Sequence, residues 1–570
     1  MTARNNNTDL TENIFLKTWR PYVWIIALGF IIYAQTLSFN FTYLDDNALI
    51  VDNYHVLKNI SNIFQVFKQD VFRSSVDAYY RPVLTVSFML DAQLGGAAPF
   101  IYHLANTLIH LLASCLLFIL LVKLRYSAEL AFFCSLIFTV HPVLTQAVAW
   151  IPGRNDSLLA VFVLLAFIAF MNFIETKNWA YYFWHIFFFT LALFTKESAP
   201  VLALMCLLYL HLIIKEKLIS FNKGILTIGW VVIITFWFLM RMNAFRSPFG
   251  LTTSELGQSL WANFPAAIQF IGKSIFPFNL SVLPLIKDTT FIYGCIALIT
   301  LAGLIFLSKK RRYNYVAFGA SWFILFLLPT LFFHNPSIPF GLDFHLEHRM
   351  YLPLIGLIIV LLETDLIKGL DFKNKKAWIL GALVILLFSA LTYNHSSNFK
   401  NRLSFWKKAS ETSPHSPLAH RNLGAMYYLS GKYDNAETEY KKALELSPNE
   451  PMVHNNLGLI YMNRGRLKDA EIEFLKEYVI NPLWDNLHYN LGLLYAREGR
   501  LKEAEAQWKK TLEINPDHAD ALYRLAVYYY GEKDYALARR YILEARKRGV
   551  QIDPDFIKAI DVKRSIPGQI

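Results

Sequence analysis

Two adjacent carboxylates, Asp45-Asp46, follow an apolar run that ends near Phe39. Acidic side chains at the edge of a bilayer cost free energy and tend to mark sites. Such a pair can supply a general base that deprotonates a hydroxyl, or oxygen ligands for a divalent cation. The bland alternative is a helix cap, which Asp favours. Downstream, further polar residues recur at the ends of apolar runs. Arg81, held extended by Pro82, suits two-pronged binding of a phosphate or snorkelling to a lipid headgroup. Lys196-Glu197 occupies a corner between two runs, where Lys196 could reach an anion or simply pair with its neighbour. Arg154, beside Asn155 and Asp156, is read as available to an anion, with Asn155 or Asp156 capping the following helix. His348-Arg349 stands at the mouth of another run and suits a lipid-linked phosphate or a cationic interfacial anchor. His103, Asn106 and His110 share one helical face, with His103 and Asn106 expected to line a cavity and His110 to pack. His141, Asp156 and Glu197 complete the expected pocket lining. His345 and His348 lie three apart, but spacing fixes no third ligand, so a metal stays undetermined.

Many apolar helices must position these groups. The chain of 570 residues is 55% hydrophobic and 17% charged, a balance that indicates a polytopic membrane protein carrying a soluble part. Its net charge of +12 fits loops facing lipid headgroups, and no basic stretch interleaved with aromatics points to nucleic acid. The four cysteines lie in apolar runs, so no disulfide framework is expected. No cleavable signal is expected before the first run.

A span needs about 20 apolar residues. Eleven runs qualify, between Pro21 and Tyr393, while Ala262–Leu280, with Pro265, Gln269 and Lys273, is ambiguous. Lys17, Arg20, Lys123, Arg125, Lys309–Arg312 and the Lys368–Lys376 loop then fall on the cytoplasmic side, provided Ala262–Leu280 does not cross. The unusual polar residues gather on the opposite, external face, with residues 40–99 as the first external loop. The boundaries expected are a cytoplasmic N-terminus at 1–20, a membrane domain at 21–394, a linker with a half-repeat cap at 395–413, repeats at 414–548 and a tail at 549–570.

The repeats announce themselves by period. Pro414, Pro448, Pro482 and Pro516 stand 34 apart (448 − 414), and Gly424, Gly458 and Gly492 keep the same step, as do Ala436, Ala470, Ala504 and Ala538. Small residues let paired helices approach, and each Pro ends a pair. This looks like about four tetratricopeptide repeats, an α-solenoid with a concave groove for a peptide or partner protein. The fold class is all-α.

In order, Leu44-Asp45-Asp46, Tyr80-Arg81-Pro82-Val83-Leu84-Thr85, Tyr102-His103-Leu104-Ala105-Asn106, Val140-His141-Pro142-Val143, Gly153-Arg154-Asn155-Asp156, Lys196-Glu197-Ser198 and His348-Arg349-Met350-Tyr351-Leu352-Pro353 resemble the transmembrane and tetratricopeptide-repeat-containing O-mannosyltransferases. The resemblance implies a GT-C-like helix bundle and an inverting glycosyltransferase. Its donor would be a sugar on a polyprenyl phosphate, its base an acid of the first external loop, Asp45 or Asp46. Asp45 is the first choice, and no cofactor is required. The donor phosphate falls to Arg81, Arg154, Lys196, His348 and Arg349. Partners would be the lipid bilayer and an acceptor protein or peptide held by the repeats. The short repeat array departs from animal members, and a bacterial inner membrane, with site and repeats outside, is the expected setting. Two rival readings are a glycan or lipid acceptor, and a membrane-anchored scaffold without catalysis.

Overall fold

A computed structural model describes residues 16, 18–72, 79–215, 221–245, 253–332, 344–372 and 374–564. Lys17, most of the 1–20 segment, part of the loop expected at 40–99 and the end of the 549–570 tail lie outside the described residues. The described chain is helical, with no strand among the described residues beyond a single Leu285–Phe344 bridge. It divides into two compact units, Met1–His415 and Ser416–Ile570.

Among the described residues of the first unit, six helices are long and apolar enough to cross a membrane: Arg20–Ser38, Pro99–Lys123, Ile151–Thr176, Gly224–Ala244, Tyr313–Leu331 and Lys375–Phe399. Ala128–Thr139 and Pro142–Ala149 form a pair bent by 48° that together also qualifies. The bend falls at Pro142, which has no N–H to continue a helical ladder. The chain is thus a multi-pass membrane protein. Four of the eleven runs read as spans form shorter helices, Trp179–Leu193, Val201–Ile213, Ile292–Leu307 and Pro353–Leu362. The run expected at Tyr351–Ile367 shows why: it folds as ten helical residues, about 15 Å of rise against a hydrocarbon layer of about 30 Å.

The ambiguous segment becomes helix Thr253–Ile275, with Pro265 inside it. Its polar side chains are buried against protein: Asn263 donates to Leu331 O (3.1 Å), Gln269 to Ile286 O (2.9 Å) and Thr289 O (2.7 Å), and Lys273 pairs with Glu347 (2.7 Å). The first loop carries its own core. Helix Pro82–Gly95 packs Leu84, Phe88 and Met89 against Ile50, Leu57 and Tyr102.

The second unit is four helix pairs, from Pro417–Leu429 with Tyr433–Leu446 to Ala519–Gly531 with Tyr535–Lys547. Gly424, Gly458 and Gly492 lie directly against the rings of Tyr440, Phe474 and Trp508, with no room for a Cβ. Gly431, Gly465 and Gly499 turn the first three pairs at φ of +73 to +76°, which glycine adopts without strain, and Lys533 stands in the fourth turn at φ of 64°. The expected cap helix, Arg402–Thr412, belongs to the first unit, and the segment read as a tail carries a further helix, Pro554–Arg564.

Candidate active site

The first loop, the starts of helices Arg154–Thr176 and Val201–Leu208, the end of helix Phe221–Ala244 and the turn before Pro353 enclose a cavity of about 310 Å³. Among its lining residues are Asp45, Arg81, Asp156, Lys196, Glu197, His348 and Arg349. Seven residues singled out in the sequence therefore converge, although they span more than 300 positions.

The two adjacent carboxylates separate by role. Asp46 is buried, and its Oδ2 accepts from Thr42 N (3.0 Å), Thr42 Oγ1 (2.5 Å) and Tyr43 N (3.1 Å). It closes the turn in which Tyr43 takes a left-handed φ of 61°, a costly conformation for a side chain with a Cβ. Asp45 faces the cavity instead. Among the described residues nothing hydrogen-bonds or ion-pairs with its carboxylate. Desolvation, then repulsion from Asp46, push its pKa up to about 6, opposed by Arg81.

The other two lining acids are committed. Glu197 receives Arg81 through Nε and Nη2 at 3.0 and 2.9 Å, as well as the Tyr80 amide at 3.2 Å. The Tyr79 ring covers the same guanidinium at 4.3 Å. Asp156 receives Lys196 Nζ on both oxygens, at 2.7 and 2.6 Å. Lys196 and Glu197 therefore do not pair with each other; each reaches across the cavity to a different element. Burial pulls the Lys196 pKa down while Asp156 holds it up.

His348 stands 3.5 Å from Asp156 through Nε2. Gln146 donates to Val282 O (3.0 Å) and accepts from the His348 amide (3.2 Å), which fixes the orientation of its own amide. Its Oε1 lies 3.2 Å from His348 Nδ1, so Nδ1 carries a proton and Nε2 is the nitrogen presented to Asp156. Desolvation, with Lys196, Arg349 and Arg81 nearby, holds the imidazole well below its ordinary pKa. Arg349 donates to Phe344 O (3.3 Å).

Four sequence-singled residues sit elsewhere. Arg154 is fully buried and bonded to Asp91 (2.6 Å), Asn106 Oδ1 (2.6 Å), Tyr102 O (2.8 Å) and Ser87 Oγ (3.2 Å), with Phe88 over its face at 4.6 Å. All three nitrogens of its guanidinium are engaged, so the reading of Arg154 as open to an anion is corrected: it is a structural pin. Asn106 is the same pin's acceptor and donates to the Val148, Trp150 and Ile151 carbonyls, all at 3.3 Å. His103 is buried beside Phe39, and neither ring nitrogen has a partner. His141 Nε2 donates to Ser274 O (2.9 Å), and its Nδ1 accepts from Val143 N (3.3 Å), which caps the Pro142 turn. None of His103, Asn106 and His141 lines the cavity. Gly153, not Asn155 or Asp156, precedes helix Arg154–Thr176, and Asn155 and Asp156 both turn into the cavity.

Arg241 was missed. It ends helix Phe221–Ala244, lines the cavity, and lies between the Trp237 and Phe245 rings at 5.7 and 5.1 Å. A lone Arg closing an apolar run, with aromatics four residues either side, was the available signal. His345 is buried beside Phe270. Among the described residues no three His, Cys, Asp or Glu side chains gather as a metal set.

Sequence models for tetratricopeptide repeats match residues 424–465 and 489–554. The protein O-mannosyl-transferase F38B6.6 of Caenorhabditis elegans is 27% identical over 426 residues, 71% of this chain and 59% of that protein. Protein O-mannosyl-transferase Tmtc1 of Drosophila melanogaster is 31% identical over 32% of this chain and 21% of its own length, and mouse TMTC2 33% over 27% and 19%. The chain thus spans about six-tenths of the first of these relatives and about a fifth of the others. Solved repeat proteins also align: the Pseudomonas aeruginosa pilF structure covers 34% of this chain at 23% identity and TM-score 0.26, and YrrB covers 33% at 23% and 0.24.

Proposed function

We propose, for a chain that is a relative of the protein O-mannosyl-transferases and carries tetratricopeptide repeats, that the cavity transfers a hexose, mannose in the first instance, from a polyprenyl phosphate to a Ser or Thr hydroxyl of a protein. The acceptor oxygen attacks the anomeric carbon and its proton passes to Asp45. The bond to the phosphate oxygen breaks, the electron pair leaves with the polyprenyl phosphate, and the anomeric centre inverts. The leaving phosphate passes from a monoanionic diester to a dianionic monoester. Arg81, Lys196, Arg241 and Arg349 surround the space where that charge grows, with His348 lining the same side. The reaction needs no cofactor in this reading. The site faces the external or lumenal side of the plasma or endoplasmic reticulum membrane, and the repeat groove presents the acceptor.

The observation that carries the reading is the contrast among the three cavity acids: Asp156 and Glu197 each hold a cation, and Asp45 holds none among the described residues. A general base must be unengaged and ionised at the working pH. The test is transfer in proteoliposomes from polyprenyl-phosphate mannose to peptides of exported proteins, with the linkage read by nuclear magnetic resonance. Inverted mannosyl-Ser or mannosyl-Thr supports the assignment. Product found only on a glycan or lipid moves the acceptor to that class. No transfer from any polyprenyl-phosphate sugar, with the cavity intact, removes the enzyme reading in favour of a scaffold. If chelation abolishes transfer and a divalent cation restores it, a metal joins the site.

A further inference from the structure

Loop Ser281–Asp288 has no part in the chemistry above, yet it is built into both sides of its surroundings. Val282, Leu283 and Leu285 are almost fully buried, so the loop is packed and rigid. On one side it grips the segment that ends the first unit. Ser281 Oγ meets Thr412 Oγ1 at 2.7 Å, Ser413 Oγ donates to Leu283 O at 2.6 Å, and Asp288 holds His415 through its amide (3.1 Å) and ring (2.5 Å). Ser416, the next residue, begins the repeat unit.

On the other side the same loop holds the turn that carries His348 and Arg349. Ser281 N donates to Glu347 Oε1 at 2.8 Å. Gln146 joins Val282 O to His348. His345 N donates to Pro284 O at 3.0 Å, beside the Leu285–Phe344 bridge. Glu347 is fully buried and fixed by Lys273 at 2.7 Å and His395 at 3.5 Å. Asn398 Nδ2 donates to His395 Nδ1 (3.3 Å), so His395 turns an N–H toward the carboxylate. A buried carboxylate needs such partners, and here they lock the residue adjacent to His348.

We propose that this loop is a positioning strap. It sets the His348–Arg349 turn from the residues that lead into the repeats, so that an acceptor protein engaged by the repeats is felt on the phosphate side of the cavity. Asp288, Glu347 and Gln146 are its positioning residues. The role given to His348 and Arg349 rests on the proposed function; the mechanical link does not. Packed elements pass displacement on because a close-packed interior has little free volume to absorb it, and couplings of this kind change equilibria by about two- to thirtyfold.

The experiment uses the full chain in lipid nanodiscs and two variants from the far end of the strap, His415→Ala and Asp288→Asn. His415 is 42% exposed, so its replacement threatens folding little. Hydrogen–deuterium exchange is followed in the peptide covering Phe344–Tyr351, with donor KM and kcat alongside. The expected result is exchange about three- to tenfold faster in that peptide, and donor KM raised by a similar factor with kcat within about twofold. Glu347→Gln combined with His415→Ala should do no more than Glu347→Gln alone. Unchanged exchange in Phe344–Tyr351 in both variants overturns the strap. If the wild type transfers no sugar, the proposed function fails, and the exchange measurement still decides the strap.

Discussion

Replacing each member of the Asp45-Asp46 pair by Asn tests the division of labour between them. Asp45→Asn removes a carboxylate that supports no neighbour, so the fold should stand while the base is gone. Loss of a general base costs roughly 10²–10⁴-fold in rate. The fall should appear in kcat, with donor KM nearly unchanged, because the phosphate contacts survive. Asp46→Asn takes the charge from a buried acceptor of three hydrogen bonds and places an amide NH2 where Oδ1 meets no partner, at roughly 1–3 kcal/mol of stability. Its signature is a lower Tm, with catalysis retained in the folded fraction. The pH profile adds a second reading. With a pKa of about 6, Asp45 is ionised about ten to one at pH 7 and about one to ten at pH 5. The base must be ionised, so kcat/KM should be level above about pH 7 and fall about tenfold per unit well below pH 6. Arg81 lowers the Asp45 pKa, so Arg81→Gln should move that acid limb upward. The assay is initial-rate mannosyl transfer in proteoliposomes from pH 4.5 to 8, with thermal unfolding in parallel. An Asp45→Asn protein within about fivefold of wild type, or an acid limb unmoved by Arg81→Gln, would refute the assignment.

Three further outcomes follow from the same geometry. Arg154→Met strands Asp91 in the interior and should cost about 3–5 kcal/mol, read as loss of folded protein in detergent; Asp91→Leu with Arg154→Met should recover part of it. Glu197→Gln frees Arg81 from its carboxylate and should lower donor KM severalfold while slowing release of polyprenyl phosphate, measured by product inhibition. Gly458→Ala places a Cβ 2.6 Å from the Phe474 ring, and overpacking of this kind costs about 1–3 kcal/mol, visible as a lower Tm with transfer to a short soluble acceptor unchanged.

Much of the fold was open to reading because its signals are local. The 34-residue period names the helix pairs outright, since each Gly–aromatic contact repeats in register. Apolar runs located the helices but not their lengths: Tyr351–Ile367 reads as a span, yet Glu363 stops its helix by turning in to meet Arg312 (2.6 Å) and Tyr126 (2.9 Å), partners remote in sequence. Site residues divided the same way. Asp45, Arg81, Asp156, Lys196, Glu197, His348 and Arg349 lie at helix ends or in the loops beside them, and the fold gathers them around one cavity. Arg154 and Asn106 looked similar but are consumed by each other and by Asp91, 63 positions before Arg154. No spacing rule reaches that far, so a buried pin and an open site look alike in one dimension.

If the cavity carries out the proposed transfer, the pairing of its cations with acids has a kinetic logic. Bare cations there would hold a dianionic product more tightly than the monoanionic donor and so retard turnover. Arg81 on Glu197 and Lys196 on Asp156 are already balanced, so an arriving phosphodiester meets cations of reduced pull. In the proposed reaction a second charge would develop on the phosphate as the bond to the sugar breaks, and the cations would turn to it from their carboxylates. The extra attraction therefore arises in the transition state rather than in the ground state, which is the condition for raising kcat instead of merely tightening binding. When the product departs, Glu197 and Asp156 reclaim their partners and compete for the same cations. Asp45 as the proposed base would need no such partner, because its charge would be neutralised by the acceptor's own proton.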